Sequence, residues 1–296
     1  MKNDDSVELL IEKLRWLRLP GMVSLVPSLL AQAATDNLTL PDVLHRLADE
    51  EKQSRMRAAV TRRVSDAKFP EINTVDGFDF DFSACRKKMR ARYLGLHDLA
   101  FLEQGINPLF IGTPGTGKTF LARSLAYKAC QMARRVVLVA APKMLNELHA
   151  AELHGSLEKA LRRYVRAELL AIDDFAVLAM DPAQAKLAFQ VISERYDYRR
   201  STMITTNRPF KDWTKVFPDS LNAQVIAERL TERSEHFVLE KGYRPKPYPA
   251  APTFYRGTGC PGSARAAPAP RTAALAALLP KGLVSNKTTG RVSGPR

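Results

Sequence analysis

A chain of 296 residues is long enough for one α/β domain of ordinary size and a smaller companion, and 45% apolar residues exclude disorder throughout. No uninterrupted apolar run is long enough to cross a bilayer, and the polar, acidic start Met1-Lys2-Asn3-Asp4-Asp5 is unlike a signal peptide, so a cytoplasmic protein without a membrane partner is expected. The formal charge of +14 suits nucleic acid or another acidic surface, but Pro245 to Arg296 holds eight Lys or Arg and no acid, leaving +6 for residues 1–244.

In chain order, residues 6–68 read as helices. Val7, Leu10, Ile11, Leu14 and Leu17 recur at helical spacing until Pro20-Gly21 breaks the pattern. Pro41 suits the first position of a further helix through Leu44 and Leu47. A small all-α N-terminal domain over 1–68 is therefore expected, followed by a linker and basic segment over 69–105. Within that segment Phe78-Asp79-Phe80-Asp81-Phe82 alternates as a short strand or a packed arm would, and Arg86–Arg92 is the densest basic run in the chain.

From about residue 106 short apolar strands alternate with helices, the pattern of a parallel sheet covered on both faces. Strands are predicted at 109–111, 136–139, 169–172, 203–206 and 237–239, within a nucleotide-binding domain over 106–244. Residues 245–296 carry nine of the nineteen prolines and read as a disordered basic tail. Cys85, Cys130 and Cys260 are far apart and odd in number, which gives neither a disulfide framework nor metal spacing.

The chemistry starts at Gly112-Thr113-Pro114-Gly115-Thr116-Gly117-Lys118-Thr119, between a predicted strand and a helix opening at Phe120. Glycines there let backbone N–H groups cradle phosphate oxygens at the positive end of the helix. Lys118 should reach the β- and γ-phosphates and the Thr119 hydroxyl should bind Mg²⁺, so ATP and Mg²⁺ are the expected cofactors, with the nucleotide segment running from Gly112 to Phe120. The strand Leu169-Leu170-Ala171-Ile172 ends in Asp173 and Asp174. Asp173 is expected at the metal together with Thr119, and Asp174 beside the attacking water. Asn207, in Thr205-Thr206-Asn207-Arg208-Pro209, is placed to touch the γ-phosphate or orient the water; turn chemistry would account for the motif alone, but its spacing after the acidic strand favours the site. Arg229 and Arg233 both suit a charge-neutralising finger reaching a neighbouring subunit, and spacing alone does not separate them.

These residues, in this order, resemble AAA+ ATPases of the helicase-loader branch, and among them the IstB-like transposition helper ATPases of insertion sequences. Leu14-Arg15-Trp16-Leu17-Arg18-Leu19-Pro20-Gly21-Met22 is similar to that family's opening helix. Ala67-Lys68-Phe69-Pro70, Ile172-Asp173-Asp174-Phe175 and Thr205–Phe210 with Trp213 extend the likeness over roughly residues 8–244. The resemblance implies a three-layer P-loop core behind an all-α N-terminal domain. It also implies an ATPase that oligomerises on duplex DNA and recruits or stimulates the transposase of the same element. By it Lys118, Thr119, Asp173, Asp174 and Asn207 take the roles given above, and Arg229 becomes the finger, with Glu228 where the family usually has Asp. On the same reading Arg55, Arg57, Arg62, Arg63, Arg86, Lys87, Lys88, Arg90 and Arg92 become candidate DNA-phosphate contacts. The rival within the fold is a replicative helicase loader of the DnaC type. A rival from another class is a P-loop small-molecule kinase, against which the missing lid of catalytic arginines counts.

Overall fold

The computed structural model describes residues 2–240; the expected tail and the last residues assigned to the nucleotide-binding domain lie outside the described residues. Five strands, β1 (Asn107–Gly112), β2 (Val136–Ala140), β3 (Leu169–Asp173), β4 (Ser201–Thr206) and β5 (Ser234–Leu239), form one parallel sheet in the order β2-β3-β4-β1-β5. All five predicted strands are present, and three of them begin two or three residues earlier than their apolar runs. Those starts are polar: Asn107 donates through Nδ2 to the Leu230 carbonyl at 3.0 Å and accepts the Thr202 N–H through Oδ1 at 2.8 Å. A side chain thus completes the ladder where Pro108 has no N–H to give.

Alternation along the strands divides the core between the two faces of the sheet. Leu109, Leu170, Ile172 and Ile204 face α7 (Ala141–Leu153), α9 (Pro182–Asp197) and α10 (Ser220–Thr231). Their sequence neighbours Phe110, Ala171 and Met203 face α6 (Lys118–Gln131), which buries Leu121, Leu125 and Cys130 against them. The result is a three-layer α/β core with the glycine loop between β1 and α6. On the α7 side lies the shorter α8 (Leu157–Val165).

The chain before the sheet is helical: α1 (Lys2–Trp16), α2 (Pro20–Asp36) and α3 (Leu40–Ala67). Pro20 ends the first pattern by opening α2. Thr39 and Asp42 cap α3 reciprocally, with Pro41 in its first turn. The Leu19-Pro20-Gly21-Met22 segment has a specific packing reason. Glu51 of α3 accepts the Gly21 and Met22 N–H groups at 2.8 and 3.3 Å, capping α2 from outside. A Cβ at Gly21 would lie 2.7 Å from the Glu50 carbonyl oxygen and from the Glu51 Cα, so the two helices meet this closely only over glycine. The far end of α3 packs on α6 and β2, where Ala67 is buried.

The alternating segment 78–82 is an arm and not a strand. Phe78 and Phe80 are buried, edge to face at 4.8 Å, and Phe80 continues to Tyr93 of α4 (Ala84–Gly95) at 5.8 Å. Before β1 a short helix, α5 (Ala100–Gln104), closes the sequence of elements. No helix among the described residues is long and apolar enough to cross a membrane.

Candidate nucleotide site

Three strand ends converge. β4 lies between β3 and β1, so the loop after β1, the acidic pair after β3 and Asn207 after β4 share the carboxyl edge of the sheet, where open α/β folds bind ligands. The loop returns into α6 through Gly117, whose φ of +97° lies in the left-handed region. A Cβ there would sit 2.6 Å from the Phe78 ring, so both conformation and space require glycine.

Lys118 is buried and its Nζ donates to the Thr113 carbonyl at 2.9 Å, folding the side chain back across the loop. Burial pushes its ammonium below the ordinary lysine range, and the carboxylates of Asp174 and Asp173 oppose that shift. Thr116 Oγ1 also donates to the Thr113 carbonyl, at 2.8 Å. Phe120 stands on the first turn of α6 with its ring 5.8 Å from that of Phe78, so the nucleotide segment and the arm are in contact.

Asp173 Oδ1 accepts two hydroxyls, from Thr119 at 2.8 Å and from Thr205 at 2.6 Å. Its Oδ2 lies 3.8 Å from Arg123. Thr205 Oγ1 in turn accepts the Asp174 N–H at 2.9 Å. This pairing holds Asp174 at a φ of +56°, an uncommon conformation for a residue with a side chain and one that turns the carboxylate out of the strand line. Desolvation and the neighbouring Asp173 raise the Asp174 carboxyl above its ordinary range, while Lys118 and Arg123 pull it down. Asn207 Oδ1 is buried and has no partner, although a buried amide oxygen normally finds one.

The oxygen set fits Mg²⁺. Among the described residues no group of three or more His, Cys, Asp or Glu could hold a metal, whereas Mg²⁺ is held by one or two protein oxygens together with waters and phosphates. The Thr119 hydroxyl beside the Asp173 carboxylate is such a pair.

Thr205 and Arg123 carry parts of this constellation that sequence reasoning missed. Arg123 had a usable signal, four residues after Thr119 and hence on the same helix face. Thr205 lay inside a segment already singled out, but its hydroxyl was hidden behind the turn chemistry of Asn207.

Arg229 lies elsewhere, on α10, with its guanidinium 5.2 Å from the Phe189 ring and 5.5 Å from Tyr196. Its Nη1 is buried without a partner, while Arg233 also lies over the Tyr196 ring, at 5.1 Å.

The basic candidates divide. Arg62, Lys88 and Arg90 are exposed, while Arg55, Arg57, Lys87 and Arg92 are exposed but paired with Glu51, Glu50, Asp81 and Glu235. Arg63 donates to the Ala133 carbonyl at 3.2 Å. Arg86 is a correction: it is 4% exposed, sandwiched between the Phe78 and Phe82 rings at 4.6 and 4.7 Å, and donates to the carbonyls of Asp79 and Thr116. A guanidinium enclosed in this way does not meet a DNA backbone. It belongs to the scaffold of the phosphate loop.

Residues 12–247 match the model of the family described as IstB-like ATP binding protein. A protein named for insertion sequence IS5376 and ATP binding, from Geobacillus stearothermophilus, is 32% identical over 77% of this chain and 90% of its own length. Its counterpart named for IS232, from Bacillus thuringiensis subsp. berliner, is 34% identical over 78% of this chain and 90% of its own length. Among solved structures, DnaI superposes with a TM-score of 0.50 at 17% identity, covering 56% of this chain and 90% of that one, which is likeness of fold. By the extent of the family match and the identity to these relatives, the chain belongs to the IstB-like ATP-binding proteins.

Proposed function

We propose that this protein is a Mg²⁺-dependent ATPase that assembles on duplex DNA and recruits or stimulates the transposase of its own insertion sequence. The observation that carries the catalytic half is the double acceptance at Asp173, which fixes one carboxylate beside Thr119 and leaves Asp174 free at the strand end. The loop N–H groups and Lys118 hold the phosphates. Thr119 and Asp173 are the residues that would hold Mg²⁺, which when bound supplies charge neutralisation on the phosphate oxygens. Asp174 orients the water that attacks the γ-phosphorus and accepts its hydrogen bond. Asn207 turns its unpartnered oxygen or its amide toward that water or the γ-phosphate. ADP and inorganic phosphate leave.

The insertion-sequence names of the relatives support the transposition setting that the resemblance drawn above implies. Arg229, on α10 and stacked on Phe189 and Tyr196, is suited to the γ-phosphate of a neighbouring copy, which makes oligomerisation part of the catalytic proposal.

The test is ATP turnover measured with and without duplex DNA, with particle size recorded in both states. Turnover stimulated by DNA and a shift to large particles support the proposal. Turnover indifferent to DNA, or a particle that stays monomeric on DNA with ATP, overturns the DNA-assembly half.

A further inference from the structure

A basic concavity lies not on the basic run of α4 but in a cleft on the opposite edge of the sheet from the nucleotide. It has a volume of about 420 Å³ and brings together Arg63, Arg135, Lys159, Arg162, Arg163 and Arg166. These come from three separate stretches: the end of α3, the turn into β2, and α8 with the residue after it. Val136, Val137 and Ala167 form its floor, at the amino ends of β2 and β3. The phosphate loop and the acidic pair lie at the carboxyl ends, about 15 Å away along a five-residue strand.

The charge is only partly neutralised. Arg135, Arg162 and Arg163 pair with Glu168, Glu158 and Glu147, and Asp66 is the one acid in the lining. Lys159 and Arg166 have no ion pair among the described residues, and Arg63 meets only a carbonyl. Six cations against four acids leave a surplus of two on one concave surface.

The cleft is also rigidly backed. Arg195, 1% exposed, donates to the carbonyls of Tyr164, Val165 and Ala167 at 2.7, 3.1 and 2.9 Å. It fixes the last turn of α8 and the segment into β3 in place, and with them Arg163 and Arg166. A buried cation so used costs desolvation, and several carbonyls are needed to offset it. The C-terminal end of α8 further favours cations by its dipole.

We propose that this cleft is a binding site for the sugar-phosphate backbone of duplex DNA. Five of its six cations are arginines, whose guanidinium forks match phosphate oxygens in pairs. No aromatic side chain lines it, so it has no platform on which an unpaired base would stack. Its apolar floor of two valines and an alanine offers no anchor pocket for an acidic peptide. Because the cleft and the phosphate loop occupy opposite edges of the sheet, DNA and nucleotide bind without competing. The inference rests on the DNA-binding reading above and names where that binding occurs.

The experiment uses the full chain carrying Lys159→Glu and Arg166→Glu together, two exposed positions outside the nucleotide site. Duplex binding is measured by fluorescence anisotropy over a salt series with three unrelated sequences, alongside thermal melting and DNA-free ATP turnover. The expected result is an affinity for duplex at least tenfold weaker than wild type, a salt slope shallower by about two, and the same loss on all three sequences. Melting and DNA-free turnover stay as in wild type, and Lys159→Gln with Arg166→Gln gives an intermediate loss. A double variant that binds duplex as wild type does, or a loss confined to one sequence, overturns the inference while leaving the functional reading standing. A wild-type chain that binds no duplex overturns both.

Discussion

Arg86 and Thr116 are 30 residues apart, yet Arg86 Nη2 donates to the Thr116 carbonyl at 2.9 Å from within a sandwich of two phenylalanine rings. In a trans peptide the C=O and the following N–H point in opposite directions. Holding the Thr116 carbonyl toward Arg86 therefore aims the Gly117 N–H away from it, toward the cradle. Burial lowers the Arg86 guanidinium from its ordinary range, with the nearby Asp79 opposing, and the group stays charged at neutral pH. Arg86→Lys keeps a charge but loses the fork. A lost charged hydrogen bond is worth about 1.5–3 kcal/mol, so the dissociation constant for ATP should rise about tenfold or more. Titration calorimetry with a non-hydrolysed ATP analogue checks it; an unchanged constant would show that Arg86 does not shape the phosphate loop.

Thr205→Val removes a hydroxyl of nearly the same shape that serves Asp173 and the Asp174 N–H together. Two polar groups lose a partner, at a cost of about 1–3 kcal/mol each where they are desolvated. Melting temperature should fall, and kcat should drop by about tenfold, while KM for ATP changes little because the phosphate loop is intact. Steady-state kinetics separate the two parameters; a change in KM alone contradicts the placement of Asp174 by Thr205.

Gly21→Ala should separate α2 from α3, because the added methyl has backbone on two sides at 2.7 Å. Overpacking of this kind costs about 1–3 kcal/mol. Limited proteolysis should cleave the N-terminal helices faster while ATP binding is kept. Loss of nucleotide binding in the same variant would mean that the helices and the P-loop core unfold as one unit.

Glu51 makes the same helix contact dependent on pH. Burial alone would raise its carboxyl, but the Arg55 guanidinium and the Gly21 and Met22 N–H groups together hold it below the ordinary value of 4.5. The folded pKa is depressed, so the stabilisation is present above the unfolded pKa and is lost as pH falls through the folded one. The N-terminal helices should loosen below about pH 4.5, followed by the fluorescence of Trp16 on the exposed face of α1. Glu51→Gln should flatten that acid transition; a transition unchanged in the variant assigns it to other carboxylates.

What was legible in the residues was whatever repeats with a local period or fills a fixed spacing. The five apolar strands and the glycine loop were readable because each is specified within ten residues. The helical start was visible from Pro20 and Pro41, and the reason for Gly21 only once Glu51 lay beside it. Asp173 was readable as a strand end, whereas its second partner Thr205 required the pairing of β3 with β4. The basic run of α4 misled at Arg86, since a cation with two carbonyl acceptors and two rings looks in sequence like its exposed neighbours. The cleft at α8 is not readable as one site for the converse reason: its six cations are spread over three segments from Arg63 to Arg166, and only the packing of α3 against β2 brings them together.

Asp173 serves binding and Asp174 serves hydrolysis, a division of roles that Asp174→Asn separates. The substitution keeps the shape, the positive φ that Asn tolerates well, and the N–H to Thr205. The measurement is single-turnover ATP hydrolysis beside the affinity for ATP and for duplex DNA. That division predicts turnover reduced by at least 100-fold, about 2.7 kcal/mol of barrier, with both affinities within about threefold of wild type. Turnover at the wild-type rate would contradict it, because the attacking water would then be oriented by some other residue.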